Sequence, residues 1–124
     1  MKFEGNHELP SLEFDEGIGH LRIWGKSVSI EAKDFWAPLF AKMVTYLEIP
    51  RDISLEIELE YFNTPSAKKI LDLLNLIDKR MSETKRRFVV TWLDGGDEDM
   101  KEAGQGYAEM VNKNTIWRFS YDND

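Results

Sequence analysis

Several groups of side chains in this sequence could do chemistry. The hydroxyls of Thr64 and Ser66 flank Pro65 in the run Leu59-Glu60-Tyr61-Phe62-Asn63-Thr64-Pro65-Ser66-Ala67-Lys68, where a helix cap competes with a regulatory site. Asp94, Asp97, Glu98 and Asp99 offer the oxygen ligands that a hard divalent cation takes. Glu56, Glu58 and Glu60 put three carboxylates close together in the chain, as acid–base chemistry would need. His7 and His20 could ligate a metal only if carboxylates converged on them. Cysteine is absent, which removes disulfides, thiolate metal sites and cysteine nucleophiles together. No serine stands in a nucleophile elbow, and there is no glycine-rich phosphate loop.

The elements that carry these residues favour binding over catalysis. Ile53, Leu55, Ile57, Leu59 and Tyr61 alternate with Ser54, Glu56, Glu58, Glu60 and Phe62. This period of two predicts a strand with one apolar face. The glutamates then line its solvated face, where Arg22 or Arg118 on neighbouring strands could pair with them. After the strand, Ala67, Ile70, Leu71, Leu74, Ile77 and Met81 recur at helical spacing. Thr64 is placed to cap that helix and Pro65 to fill its first position, where no N–H is needed. Asp97, Glu98 and Asp99 open a further helix, where acidic side chains complement the positive end of the dipole. That bland role outweighs cation binding, so no catalytic residue, metal site or cofactor is assigned.

The remaining elements follow in order. Residues 2–5 form a short edge strand. Leu12-Glu13-Phe14 and residues 18–24 make a hairpin around Asp15-Glu16-Gly17, and residues 25–30 connect to a helix ending near Glu48. Trp36, Leu39, Phe40, Met43 and Leu47 share one face of that helix, with Phe35 and Tyr46 widening it and Asp34 available as a cap. Pro38 marks the helix start or a kink. Leu76 lies off the main stripe of the second helix and could widen a docking surface with Leu73. Residues 88–93 are apolar on both faces and predict an interior strand. Met100, Ala103, Gly104, Tyr107 and Val111 point inward from the third helix, with close packing at Gly104 and Gly106. Residues 116–121 form the last strand, and the tail Asp122-Asn123-Asp124 frays. The final three strands should be parallel neighbours joined by right-handed crossovers.

The chain has 124 residues and 42% hydrophobic content, which predicts one domain, residues 1–124, with a real core. It has no apolar run long enough to span a membrane and no signal peptide, so a cytoplasmic location is expected. A net charge of −7 without a basic stripe argues against nucleic acid and anionic membranes and for protein partners with basic surfaces.

Three short motifs, in order, carry a family resemblance. The first is Gly25-Lys26-Ser27 with Glu31 and Phe35-Trp36-Ala37-Pro38-Leu39. The second is the run from Leu59 to Lys68 with Ile70-Leu71-Asp72-Leu73-Leu74. The third is Trp92 with Asp97-Glu98-Asp99-Met100 and Glu102-Ala103-Gly104. Over residues 3–121 the sequence resembles the SiaC family of bacterial regulatory phosphoproteins, with Pro65 standing where that family usually has serine. The resemblance implies an α/β, STAS-like single domain: a mixed sheet with an N-terminal antiparallel hairpin and three main helices. It also implies phosphorylation of Thr64 (second choice Ser66) by a serine/threonine kinase and dephosphorylation by a PPM-type phosphatase. The unphosphorylated form would bind and activate a diguanylate cyclase, linking the switch to cyclic-di-GMP and biofilm control. The partner-binding edge expected from these residues comprises Asn63, Thr64, Pro65, Ser66, Lys68, Lys69, Asp97, Glu98 and Asp99, with Thr64 beside the acidic segment. An anti-sigma-factor-antagonist-like partner switch and a small metal-dependent enzyme are the alternatives.

Overall fold

Six strands, most of them alternating and one apolar on both faces, and three helices with apolar residues at helical spacing make up a computed structural model that describes residues 1–29 and 33–121. The strands are β1 (Lys2–Phe3), β2 (Ser11–Asp15), β3 (His20–Ser27), β4 (Ile53–Phe62), β5 (Phe88–Leu93) and β6 (Thr115–Ser120). The helices are α1 (Lys33–Tyr46), α2 (Thr64–Thr84) and α3 (Glu98–Met110). Glu31 and the tail Asp122-Asn123-Asp124 lie outside the described residues.

The strands lie in the sheet in the order of the chain, β1-β2-β3-β4-β5-β6. β1, β2 and β3 pair antiparallel, and β3 to β6 pair parallel. The expected parallel trio is therefore a quartet, because α1 is itself a crossover between β3 and β4. One core cluster unites the inward faces of β2 to β5 with Trp36, Leu39 and Met43 of α1, Ile70, Leu74 and Ile77 of α2, and Met100 and Tyr107 of α3. All three helices therefore pack on one face of the sheet. Crossovers of one hand that always step the same way require this.

Phe35 and Tyr46 are buried, as the widened stripe of α1 requires. The helix runs through Pro38 from a start at Lys33, so the Asp34 carbonyl has no helical N–H donor at Pro38. Arg80 of α2 donates to the Leu47 and Glu48 carbonyls at 2.8 and 3.2 Å and so satisfies the end of α1. Leu73 is buried and adds nothing to a docking surface. Leu76 is half-buried and borders a shallow depression with Val44 and Leu47.

The cap of α2 differs from expectation. Asn63, not Thr64, is the N-cap: its Oδ1 accepts from the Ser66 N–H at 3.0 Å, and its backbone is extended. Thr64 is then the first helical residue and Pro65 the second. Asparagine competes well for this position because its side chain reaches the same amide as threonine's would. In α3 the cap is Asp97, whose Oδ1 accepts from the Met100 N–H at 3.0 Å.

Gly104 faces the Trp92 indole so closely that a Cβ there would collide with the ring, whereas a Cβ at Gly106 would meet nothing within 4 Å. Only the first glycine serves packing. Gly104→Ala should therefore destabilise the fold by about 1–3 kcal/mol. Gly106→Ala should stabilise it by about 0.5–1 kcal/mol through lower chain entropy. Urea titration of both variants checks the opposite signs. In the same assay Asn63→Ala should lose about 1 kcal/mol, and Thr64→Ala, which removes no cap, should stay within about 0.5 kcal/mol of the parent.

Candidate functional site

Parallel strands present their carboxyl ends on a common edge, where α/β domains gather functional groups. Here that edge carries Ser27, Phe62, Asn63 and Thr64, together with the Asp94-Gly95-Gly96 loop. β4 overshoots its neighbour: Ile57 is level with Trp92 and Phe62 with Ser27, three β3 residues past Trp24, so Phe62 stands about 10 Å beyond Leu93 along the strand.

A bulge shapes the overshoot. Gly25 pairs with Leu59 and Lys26 with Tyr61, which leaves Glu60 without a partner in the β3–β4 ladder. Gly25 has φ +106° there, a backbone region that favours glycine. The extra residue inverts the faces beyond it. Tyr61, expected on the apolar face, is 59% exposed. Phe62, expected on the solvated face, turns inward against Trp92 and Tyr107, with ring centroids 6.4 and 6.5 Å away.

Below Thr64 the helix start is held firmly. Ser66 is buried, its Oγ 2.6 Å from Ser27 Oγ, and it donates to the Ser27 carbonyl at 3.0 Å. The Asn63 N–H donates to the same carbonyl at 3.0 Å. The Tyr107 hydroxyl reaches across from α3 to donate to the Ala67 carbonyl at 2.8 Å. Burial pushes the Tyr107 phenol up to about 12, so it remains a donor through neutral pH. Trp92 Nε1 donates to the Met100 carbonyl at 2.8 Å, which fixes the start of α3 to β5.

The two hydroxyls around Pro65 thus have opposite environments. Thr64 is exposed, as are Pro65, Lys68 and Lys69. Ser66 is enclosed and its hydroxyl fully engaged, which removes it as an accessible acceptor and from the docking edge. Lys68 lies one turn beyond Thr64 on the same helix face. Lys69 sits 5.9 Å from the Phe40 ring centre. Exposed Tyr61 and Lys26 adjoin this edge and were missed from sequence. Gly25 was the one signal of the bulge that turns Tyr61 outward.

The acidic segment shares the edge and stands beside the glutamates of β4. Glu58, Glu60, Asp94 and Asp97 line one depression with Trp24 and Leu93. Glu98 and Asp99 are exposed in the first turn of α3, where they complement its dipole. Arg22 answers the β4 carboxylates, 2.9 Å from Glu56 and 3.7 Å from Glu58, while Thr91 of β5 lies between Glu56 and Arg118. His20 Nδ1 is 3.2 Å from Ser54 Oγ, and His7 is exposed in a loop. Among the described residues, no three His, Asp or Glu side chains converge as a metal site would need.

Comparison with known proteins agrees with this fold. A family model described as SiaC family regulatory phosphoprotein matches residues 3–120. Apo-SiaC from Pseudomonas aeruginosa superposes with a TM-score of 0.84 at 19% identity, covering 95% of this chain and 97% of that one. SiaC from the same organism, in the crystal structure of diguanylate cyclase SiaD in complex with its activator SiaC, superposes with a TM-score of 0.86 at 19% identity, covering 97% and 99%. A comparison with curated proteins found no match. At this identity the solved structures establish the fold, and the family model, spanning nearly every residue, establishes the kinship: the chain belongs to the SiaC family of regulatory phosphoproteins.

Proposed function

We propose that this domain is a non-enzymatic phospho-switch whose acceptor is Thr64. The observation that carries this is the contrast between neighbouring hydroxyls: Thr64 is exposed on the first residue of α2, while Ser66 is buried against Ser27. In our reading a serine/threonine kinase phosphorylates Thr64 and a PPM-type phosphatase restores it. The unphosphorylated form binds and activates a diguanylate cyclase, so the switch acts on cyclic-di-GMP signalling and biofilm control. Membership of a regulatory phosphoprotein family supports the switch. The solved complex of SiaC with the cyclase it activates supports the class of partner. No helix among the described residues is long and apolar enough to cross a membrane; the domain is read as acting in the cytoplasm.

The docking edge in this reading is Asn63, Thr64, Pro65, Lys68 and Lys69, with Asp97, Glu98 and Asp99 attracting a basic partner from a distance. A phosphate adds about −1.5 to −2 charges at neutral pH, together with bulk, at the centre of the edge. Lys68 offsets part of that charge. Docking is lost because a surface shaped to meet the neutral threonine now carries a solvated dianion.

After incubation with a cognate kinase and Mg-ATP, mass spectrometry should find phosphate on Thr64 and none on Ser66. Phosphate on the Thr64→Ala protein would sink the assignment. Calorimetry against a purified diguanylate cyclase partner should give Thr64→Ala the parent's affinity and Thr64→Glu at least about tenfold weaker binding, or about 1.4 kcal/mol. Binding by the parent should also weaken as salt rises. Equal affinities for the two variants, with no effect of the authentic phosphate, would overturn the docking-edge mechanism.

A further inference from the structure

β6 closes one side of the sheet with β5 as its only neighbour among the described residues. An unpaired edge is a template for another strand, and proteins guard such edges with brevity, proline, bulges or charge. The opposite edge is guarded by brevity, since β1 has two residues. β6 has six residues, no proline and an unbroken register with β5. Arg118 is its one charged residue, and Ile116 and Phe119 are 45% and 42% exposed.

The hydrogen bonds fix which way its main chain points. The Ser120 carbonyl accepts from the Asp94 N–H at 3.1 Å, so Ser120 turns its backbone groups toward β5. Alternation along the strand directs Ile116 and Arg118 the same way and turns the N–H and C=O groups of Thr115, Trp117 and Phe119 outward. The side chains alternate as well. Thr115, Trp117 and Phe119 lie on the helix-covered face with their partners Phe88, Val90 and Trp92. Ile116 and Arg118 lie on the bare face with Val89 and Thr91.

We propose that β6 is a homotypic edge: two copies of this chain pair their β6 strands antiparallel about a two-fold axis through Trp117, making one continuous sheet. This register is chosen by the strand itself. It sets Trp117 opposite its own copy and Thr115 opposite Phe119, all with outward backbone groups, for about six main-chain hydrogen bonds. It sets Ile116 opposite Arg118, so the isoleucine covers the aliphatic stem of the arginine. The register centred on Arg118 would oppose two like charges at the closest spacing and would need the Tyr121 carbonyl, which already accepts from the Gly95 N–H. On the helix face, Phe119 is stacked on Trp117 with centroids 6.0 Å apart and 15° between planes. The axis extends that pair into a row of four rings. The two-fold closes the assembly at a dimer, whereas pairing β6 with the stunted β1 would propagate head to tail. Two six-residue strands bury little, placing the contact at the small end of specific interfaces, so the dimer is reversible, with a Kd on the order of 100 µM. Each copy carries −7, so the dimer tightens as salt screens the long-range repulsion.

Sedimentation equilibrium of the full chain over about a hundredfold range of concentration, up to about 0.5 mM, at low and high salt, tests this. A monomer–dimer equilibrium that strengthens with salt is expected. Ile116→Lys sets an ammonium against Arg118 of the second copy twice over and should weaken the dimer about threefold to tenfold; Ile116→Glu should strengthen it by a similar factor. Phe119→Pro removes an outward N–H that β5 does not use and should leave a folded monomer by circular dichroism. A monomer at every concentration overturns the proposal and leaves the edge to a strand from another protein. A dimer indifferent to Phe119→Pro, or one that responds alike to lysine and glutamate at position 116, overturns the β6 pairing and its register.

Discussion

The structure depends on the handedness of its crossovers. β3 to β6 are laid down in chain order, each crossover stepping to the next position in the same direction. Right-handed connections of this kind cannot distribute helices on both sides of the sheet, so α1, α2 and α3 share one face and one core. Two consequences follow. The carboxyl ends of β3, β4 and β5, with the helix starts that follow β4 and β5, collect at one edge. The other face of a largely parallel sheet, which is ordinarily covered, receives no helix.

That bare face is sheathed by its own side chains. Lys2, Glu13, Arg22, Glu56, Thr91 and Arg118 stand in register across all six strands, and the charges alternate in sign as far as Glu56. Arg22 does the most, ion-paired with Glu56, approaching Glu58 and lying 4.3 Å from the centre of the Trp24 ring. Long side chains laid flat cover apolar surface with their stems. Under this layer Val89 and Leu93 are 8% and 2% exposed although no helix covers them. The glutamates of β4 therefore serve as cover on a solvated face, which accounts for their alternation in the sequence.

Local periodicity made most of this fold legible in the sequence. The stripe of α1, the alternation in β4 up to Leu59 and the doubly apolar β5 each follow from a pattern confined to one element. The errors fall where two elements meet. Tyr61 and Phe62 continue the period of two, and only the pairing with β3 around Gly25 inverts them. Thr64 and Asn63 are both competent caps, and the winner depends on where the ladder releases the chain, which the Asn63 N–H bond to the Ser27 carbonyl fixes. Ser66 looks like any hydroxyl in a first helical turn; its burial comes from Ser27, thirty-nine positions earlier. The parallel pairing of β3 with β4 likewise needs the first crossover to be seen as one. At the candidate site, the placement of residues 63–69 at a strand-to-helix junction was legible from the change of period after Phe62. The division of labour between them was not.

That division bears on what a phosphate can do there. Of the amides that open α2, Pro65 contributes none, Ser66 donates to Asn63 Oδ1 and Ala67 donates to the Asn63 carbonyl. The Thr64 N–H is the one left without a partner among the described residues. A phosphoryl group on Thr64 therefore meets little of the donor array that makes helix starts good anion sites, and Lys68, one turn on, is its natural counter-ion. The anchors of the helix start lie elsewhere: Ser66 on Ser27, Ala67 on Tyr107, Ile70 in the core. None of them involves the Thr64 side chain. A modification that neither gains strong local bonds nor breaks structural ones leaves the fold as it was and alters only what the edge presents. In the proposed switch, the energy of switching would then reside in the interface with the partner rather than in a rearranged domain.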